Sequence, residues 1–294
     1  MKPAPFEYYA PATEEEALLY LSEHGYDAKA LAGGQSLIPM MNFRLAQPSI
    51  LIDLNNISTL SHIDVDESGE LHIGAMTRHA KVEHDPLVAK NTPLIAEAMP
   101  HIATPQIRNR GTFGGSMAHA DPSAELVAIS VALNGRFRLR SVSRERWLPA
   151  NEFFIGMFTT LMEPEELFVE GVFPPLPPRT GWALQEVTRR PHDFALVGVS
   201  VVVTLDGNNR CQSGRIVFLS VSDRPVEAYK AAEVLINNSP TSEVIRNASE
   251  VAAMEDVDPG NDIHASADFR RHLVRVLTGR ALTLAFERAN RSSF

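Results

Sequence analysis

At 294 residues the chain is long enough for a large hydrophobic core shared among two or three lobes. Its 44% hydrophobic and 21% charged residues are those of an ordinary globular protein, and the lack of a long apolar run argues against a transmembrane helix. The net charge of −9 argues against a nucleic-acid partner. Residues 1–16 contain no apolar signal core, so we expect a cytoplasmic protein.

The first part of the chain alternates helical and strand patterns. Residues 13–25 predict an amphipathic helix, with Thr13 and Glu16 as a capping box and Gly25 as its end. Thr77 is expected to cap a short helix that runs to Glu83. Strands are predicted at 28–31, 49–55 and 69–77, and a helix interrupted by Pro100 at 92–103.

The second part begins with a predicted helix at 121–133, with Asp121 as N-cap and Pro122 in the first position. Four prolines at 174–181 predict a linker, and an antiparallel sheet with a turn at Asp206-Gly207 follows it. Two strands precede the linker, at 136–142 and 166–173, and three helices close the chain, at 226–236, 241–255 and 266–290. The sequence therefore predicts an α+β protein, with two lobes before the linker and one after it.

Cysteine usage limits the metal chemistry of the chain. Cys211 is the only cysteine, so no internal disulfide and no all-cysteine iron–sulfur or zinc site can form within it. A cysteine-ligated metal in any redox reaction must therefore be on a partner. The ten histidines show no H-E-x-x-H spacing, and four are interpreted as surface or loop residues: His79, His84, His101 and His119.

Two diglycine segments stand in matching contexts, "ALAGGQSLIP" and "RGTFGGSMAHADPSAE". Consecutive glycines permit positive φ and close approach of a ligand, and successive amides turned inward form a seat for a phosphate. Side-chain donors follow at Gln35, Ser36 and Ser116. The segments match neither G-x-G-x-x-G nor a P-loop. The alternative is that both are only tight turns after strands.

Asp121 and Glu125 are spaced to share one face of a helix, where their carboxylates could accept hydrogen bonds from ribose or ribityl hydroxyls. The alternative is that Asp121 only caps the helix and Glu125 only complements its dipole. The sequence shows no acid–base pair or nucleophile triad. Ser36 and Ser116 have no evident histidine partner, so hydrolase chemistry is weakly supported.

These motifs make the chain similar to a known family. The stretches "AGGQSLIP", "NFRLAQPSILIDL" and "QIRNRGTFGGSMAHADPSAE" resemble the medium, FAD-binding subunit of the molybdenum hydroxylases, and "NDIHASADFRRHLVRVLTGRAL" resembles its C-terminal domain. The family includes carbon monoxide, quinoline, nicotine and xanthine dehydrogenases. The resemblance implies a two-lobed FAD-binding fold of the vanillyl-alcohol-oxidase type at 1–57 and 58–176. A C-terminal α+β domain would follow at 180–294.

The resemblance also implies the cofactor contacts. The first segment and the start of the second would hold the pyrophosphate of FAD from two sides, Ile102 would line the flavin, and Asp121 and Glu125 match the family's acidic positions. The residues expected to bind FAD are Ala32, Gly33, Gly34, Gln35, Ser36, Leu37, Ile102, Thr112, Gly114, Gly115, Ser116, Ala120, Asp121, Glu125 and Phe194. No catalytic residue and no metal ligand is expected on this chain.

One motif departs from the family. "RRPHDFALVG" resembles "RKxGDYA", whose aromatic residue lies against the isoalloxazine ring, but here Phe194 replaces the tyrosine and His192 replaces the glycine. Phe194 keeps the π face and loses a hydroxyl. We therefore expect a changed hydrogen bond at the flavin, and His192 to narrow the access to it.

The resemblance further implies the partners. A small subunit would carry two 2Fe–2S clusters and a large subunit the molybdenum cofactor, in a dimer of heterotrimers. Substrate, a small N-heteroaromatic compound by the nearer resemblance, would be hydroxylated at molybdenum, and electrons would reach an external acceptor through the FAD here. Two alternatives remain: a self-sufficient flavoprotein oxidase or dehydrogenase of the same fold, and a non-catalytic nucleotide-binding or regulatory subunit.

Overall fold

The computed structural model describes residues 2–291, which form three larger sheets in chain order and one two-stranded hairpin. Met1 and residues 292–294, at the outer ends of the predicted ranges 1–57 and 180–294, lie outside the described residues. Helices and strands are mixed in each part, which confirms the α+β class.

The N-terminal lobe is a parallel three-stranded sheet with the third strand in the centre. Thr13 caps the first helix, as predicted, because its hydroxyl accepts from the backbone amide of Glu16. The Glu16 carboxylate accepts from the backbone amide of Ala12 rather than from that of Thr13. The elements are β1 (Glu7–Tyr9), α1 (Glu14–His24), β2 (Ala28–Leu31), α2 (Leu37–Asn42) and β3 (Ile50–Asp53). The predicted helix and both predicted strands of this lobe are confirmed, and α2 was not predicted.

The second lobe is built on an antiparallel sheet in the order β4-β5-β10-β6-β7. Its strands are β4 (Ile63–Val65), β5 (Leu71–Gly74), β6 (Arg136–Arg140), β7 (Glu145–Pro149) and β10 (Leu167–Phe173), and β8 (Phe154–Gly156) pairs with β9 (Thr159–Thr160). Its helices are α3 (His79–His84), α4 (Pro86–Asn91), α5 (Pro93–Ala98), α6 (Pro105–Arg108), α7 (Phe113–His119), α8 (Glu125–Ala132) and α9 (Ala150–Phe153). All seven residues of the central strand β10 are buried.

Three predicted caps and helix starts in this lobe are wrong. Asp121 does not cap α8: its Oδ1 accepts from the Ser123 amide, and the helix begins later, after Ala124. Pro122 therefore lies outside the helix. Thr77 does not cap α3, because its hydroxyl donates to the His62 carbonyl. The predicted helix at 92–103 is confirmed only as α5 and one 3-10 turn.

The C-terminal part is a four-stranded antiparallel sheet covered by helices. Its elements are β11 (Thr180–Thr188), β12 (Ala195–Leu205), β13 (Cys211–Leu219), β14 (Val226–Glu227), α10 (Tyr229–Leu235), α11 (Ser242–Val251) and α12 (Ala267–Arg291). The turn at Asp206 is confirmed, and the Asp206 carboxylate closes it by accepting from the amides of Asn208 and Arg210. Gly181 lets α12 cross β11 closely, since a Cβ there would lie 1.8 Å from the Ala285 carbonyl oxygen.

The second lobe and the C-terminal sheet share one hydrophobic core. All eight residues of α8 are buried. They lie in the same cluster as four side chains of the C-terminal sheet: Leu184, Ala195, Val217 and Leu219. Helix α8 is thereby held against β12 and β13 of the C-terminal sheet.

Candidate functional site

The first glycine segment is a bend between β2 and α2 whose amides have no protein acceptor. Among the described residues, the backbone amides at 33–36 donate to no carbonyl or side chain. Gly34 has a φ of 72°, a conformation that favours glycine. Unpaired successive amides make a concavity for an anion, as the sequence predicted.

The structure brings the two glycine segments into contact. A Cβ on Gly33 would lie 2.3 Å from the carbonyl oxygen of Arg110 and 2.8 Å from the Cα of Gly111. A Cβ on Gly115 would come within 3.5 Å of the Ala32 side chain. The backbones can approach this closely at Gly33 only because that position lacks a side chain, whereas the distance at Gly115 is an ordinary van der Waals contact.

The second segment differs from the predicted loop, because Gly114, Gly115 and Ser116 lie inside α7. Their amides already donate within the protein, to Ala75, the Thr112 hydroxyl and the Thr112 carbonyl respectively. The expectation that both segments offer free backbone donors is therefore wrong for the second one. Gly114 serves packing instead, since a Cβ there would lie 2.7 Å from Ala75.

A polar network that the sequence did not reveal supports the first segment. Nδ2 of the Asn55 side chain donates to the Ala32 carbonyl at 3.0 Å, and Arg78 donates to both Oδ1 of Asn55 and the Arg110 carbonyl. Asp53 and Arg110, together with Asn55 and Gly33 to Gln35, line a cleft of about 350 Å³. The sequence signal that could have indicated this network is the pair of polar residues Asp53 and Asn55, at the end of β3 and in the turn after it.

Other predicted contacts lie along the second lobe. Ile102 is half-buried beside the shared core and its carbonyl accepts from Arg108. Ala120 ends α7 in the left-handed conformation, with φ 51°, and its carbonyl accepts from the Phe158 amide. Asp121 follows directly and is half-buried. Asp121 and Glu125 do not share a helix face, because only Glu125 is helical.

Glu125 is buried at the start of α8, with 8% of its surface exposed. Burial is the main cause that raises the pKa of its carboxyl to about 7; the charges of Glu186 and Asp121 act in the same direction, while a backbone hydrogen bond and His101 oppose it. His101 Nδ1 lies 3.0 Å from Glu186 Oε1, so an imidazole from the second lobe meets a carboxylate of β11. The sequence predicted Glu125 but neither of the other two.

His79, interpreted from sequence as a surface or loop residue, is buried against Gly111 behind the second segment. Burial lowers the pKa of His79 to about 4, so its imidazole is neutral at pH 7. His101 is exposed, as the interpretation as a surface residue expected. Its ring is nevertheless paired with Glu186.

Phe194 lies in the turn between β11 and β12, outside the three hydrophobic clusters of the described residues, with 67% of its surface exposed. Its amide donates to Asp193, whose carboxylate also pairs with Arg189 and Arg190. His192 has a φ of 64°, the left-handed conformation that favours glycine. The family motif has glycine at this position, and the geometry supplies a physical reason for it.

One group of potential metal ligands occurs among the described residues, formed by Asp66, Glu70 and His72. Glu70 is held in a two-bond ion pair with Arg136. His72 Nδ1 lies 3.1 Å from Glu170. Both side chains are engaged within the protein, and we assign no metal to them.

Sequence families now identify the fold. The family described as FAD binding domain in molybdopterin dehydrogenase matches residues 4–177, and the family described as CO dehydrogenase flavoprotein C-terminal domain matches residues 182–285. The chain belongs to the FAD-binding medium subunits of the molybdenum hydroxylases. It is therefore an oxidoreductase subunit whose own cofactor is FAD.

Individual relatives agree over the whole length. The chain is 39% identical over 289 residues to the 6-hydroxypseudooxynicotine dehydrogenase complex subunit alpha of Paenarthrobacter nicotinovorans, covering 98% of this chain and 97% of that one. It is 38% identical to a carbon monoxide dehydrogenase of Hydrogenophaga pseudoflava of solved structure, with a TM-score of 0.94 and coverage of 98% and 99%. Quinoline 2-oxidoreductase of Pseudomonas putida 86 gives 35% identity and a TM-score of 0.92, with both chains covered fully.

The site fits FAD on its own geometry. The free amides at 33–36 suit a diphosphate, which needs several hydrogen-bond donors and no obligatory lysine.

In the described part of the chain, no helix has the length and apolarity required to cross a membrane.

Proposed function

We propose that this chain holds FAD without a covalent link and passes electrons to an external acceptor. The electrons come from iron–sulfur clusters on a partner. Bound FAD accepts and releases two electrons, which is the chemistry that the flavin itself supplies. The observation that carries the proposal is the row of unpaired amides at 33–36, pressed against the second glycine segment at Gly33.

The residues have separate roles in this proposal. The amides from Gly33 to Ser36 hold the pyrophosphate, and the hydroxyl of Ser116 approaches from the end of the second segment. Ile102 and Phe194 line the ring, while Asp121 and Glu125 accept hydrogen bonds from the hydroxyl groups of the cofactor. Ala32, Leu37 and Ala120 supply supporting contacts, whereas Thr112, Gly114 and Gly115 shape the start of α7 beside the cofactor.

The partners follow from the same reading. We propose a small subunit with two 2Fe–2S clusters and a large molybdopterin subunit, two copies of each of the three chains, and a cytoplasmic location. Relatives described as medium chain, medium subunit and complex subunit alpha support an assembly of unlike chains. The single cysteine supports it too, since the clusters need ligands that this chain lacks.

For the substrate we propose a small N-heteroaromatic compound. Relatives named for nicotine and caffeine are 37% and 35% identical to the chain. The carbon monoxide dehydrogenase medium chain of Hydrogenophaga pseudoflava is 38% identical, so overall identity does not separate the two substrate classes. A substrate panel with the assembled enzyme, including carbon monoxide, separates them.

The test of the function is purification and reconstitution. We expect a yellow chain that releases its flavin on acid precipitation and co-purifies with a cysteine-rich small chain and a large molybdoprotein chain. Turnover should return only when both partners are added. Flavin retained after precipitation would contradict non-covalent binding. Substrate-dependent bleaching of the flavin in the isolated chain would favour the self-sufficient flavoenzyme, and a colourless chain would favour the nucleotide-binding subunit.

A further inference from the structure

A buried acidic cluster connects the second lobe with the C-terminal sheet. Glu125 starts α8, Glu186 lies on β11, and His101 ends the turn after α5. The Glu186 side chain is only 7% exposed, whereas the His101 side chain is 44% exposed. The cluster therefore combines an exposed imidazole with two carboxyl side chains that are largely buried.

The hydrogen bonding of the cluster is incomplete. His101 serves Oε1 of Glu186, but the buried Oε2 has no hydrogen-bond partner among the described residues. In that same part of the chain, no lysine, arginine or histidine forms a salt bridge with Glu125. A buried unpaired carboxylate oxygen is costly, and a proton shared in the cluster relieves that cost.

The charges that surround the cluster also favour proton retention. Asp121 acts on Glu125, and Glu97 acts on His101, each with negative charge. Arg288 forms an ion pair with Glu97. The pKa of His101 is raised, first by its bond to Glu186, and burial of Glu125 puts its pKa close to 7. Glu186 thus interacts with both titratable groups, since it is hydrogen-bonded to His101 and its charge acts on Glu125.

We propose that His101, Glu186 and Glu125 form a path for protons between solvent and the flavin. The inference rests on the proposed function, in which Ile102 and Asp121, the chain neighbours of this cluster, line the cofactor. Reduction of FAD would take two electrons from the partner's clusters and two protons. Its oxidation would pass the two electrons to the acceptor and release the two protons. One of those protons passes from Glu125, which regains it from solvent through Glu186 and His101.

The first measurement is the midpoint potential of the flavin against pH in the assembled enzyme. Ionisation of Glu125 should produce a bend in the plot near pH 7, and Glu125→Gln should remove the bend while the flavin stays bound. His62→Gln is the matched control, because His62 also pairs with a buried glutamate, at 3.2 Å, in the sheet of the second lobe. A bend that persists in flavin-loaded Glu125→Gln overturns the proposal.

The second measurement covers the case in which Glu125→Gln loses flavin. His101→Ala should slow flavin reduction in stopped-flow experiments by about 10²-fold, and added imidazole should restore the rate through the exposed position. His62→Ala should change neither the rate of flavin reduction nor its response to imidazole. An unaltered rate, or a slow rate that imidazole does not restore, overturns the path. Absence of flavin from the wild-type assembly would instead contradict the proposed function.

Discussion

Gly33 is the residue at which the two glycine segments meet. Gly33→Ala places a methyl group against the backbone of Arg110, which cannot rotate away. We expect FAD to bind about tenfold more weakly or worse, which corresponds to about 1.4 kcal/mol. Equilibrium titration with FAD measures the effect.

Gly207→Ala is the control for that variant, because nothing lies within 4 Å of a Cβ at Gly207. Unchanged affinity in a folded Gly33→Ala protein would show that the contact between the segments does not position the phosphate. Gly114→Ala is less informative, since it disturbs the packing of α7 on Ala75.

Glu125 predicts an unusual dependence of stability on pH. Its pKa is raised from 4.5 to about 7, first by burial, so the folded chain holds a proton that the unfolded chain releases. Stability therefore falls as the pH rises from 4.5 to about 7. Glu125→Gln should be more stable than the wild type by roughly 3 kcal/mol above pH 7, and equally stable below pH 4.5.

Urea unfolding of the full chain above pH 7 and below pH 4.5 tests this prediction. Glu170→Gln is the control in which the pKa of the glutamate is lowered instead of raised. Burial disfavours its ionisation, but hydrogen bonds from His62 and His72 and the charge of Arg138 lower the pKa of Glu170 to about 2. That variant should lose stability at neutral pH. An equal loss in Glu125→Gln at both pH values would contradict the assigned pKa.

At the residue scale, local patterns identified glycines and acidic positions and missed partners that are distant in sequence. Thr13 and Glu16 are three residues apart, so their cap is visible in the sequence. His101 and Glu186 are separated by 85 positions, and only the contact between the second lobe and β11 brings them together. No spacing rule contains that information.

At the element scale, α8 shows why a strong helix-start signal failed. "DPSAE" has the composition of an N-cap followed by a first-turn proline. In the fold, Ala120 accepts from Phe158 and Pro122 accepts from the Ser220 amide. These tertiary hydrogen bonds fix the segment in a turn, and Asp121 closes that turn before the helix begins.

The turn between β11 and β12 gives a prediction at the same scale. Phe194 is exposed, so Phe194→Ala should change the free energy of unfolding by less than about 0.5 kcal/mol, whereas a core phenylalanine would cost about 3–5 kcal/mol. If it lies against the ring, the same change should alter flavin fluorescence and the midpoint potential. Phe194→Tyr, which restores the family's hydroxyl, should alter the potential alone.

Phe269→Ala is the matched control for Phe194, since Phe269 is also an exposed phenylalanine, 46% exposed on α12. Flavin properties that stay constant in both variants would remove Phe194 from the site. A large loss of stability in Phe194→Ala would show that the turn packs more tightly than its exposure indicates.

At the scale of the whole molecule, the proline-rich segment at 174–181 separates two sheets, as the sequence predicted, but it does not separate two cores. Side chains of β11, β12 and β13 complete the core around α8. A fragment of residues 1–177 should therefore expose apolar surface, bind a hydrophobic dye and aggregate, although it spans the matched FAD-binding family. Dye fluorescence and light scattering, compared with the full chain, measure this. A monomeric, flavin-binding fragment would contradict it.

The shared core also determines when the FAD-binding lobes can finish folding during synthesis at the ribosome. Helix α8 leaves the ribosome long before β13, which ends at Leu219 and supplies two of the side chains that cover it. The nascent FAD-binding lobes must wait, with the apolar face of α8 uncovered, until most of the chain has been made. Flavin that binds during synthesis would meet an unfinished site. Synthesis of the subunit would then depend on chaperones that shield this face until β13 has been made.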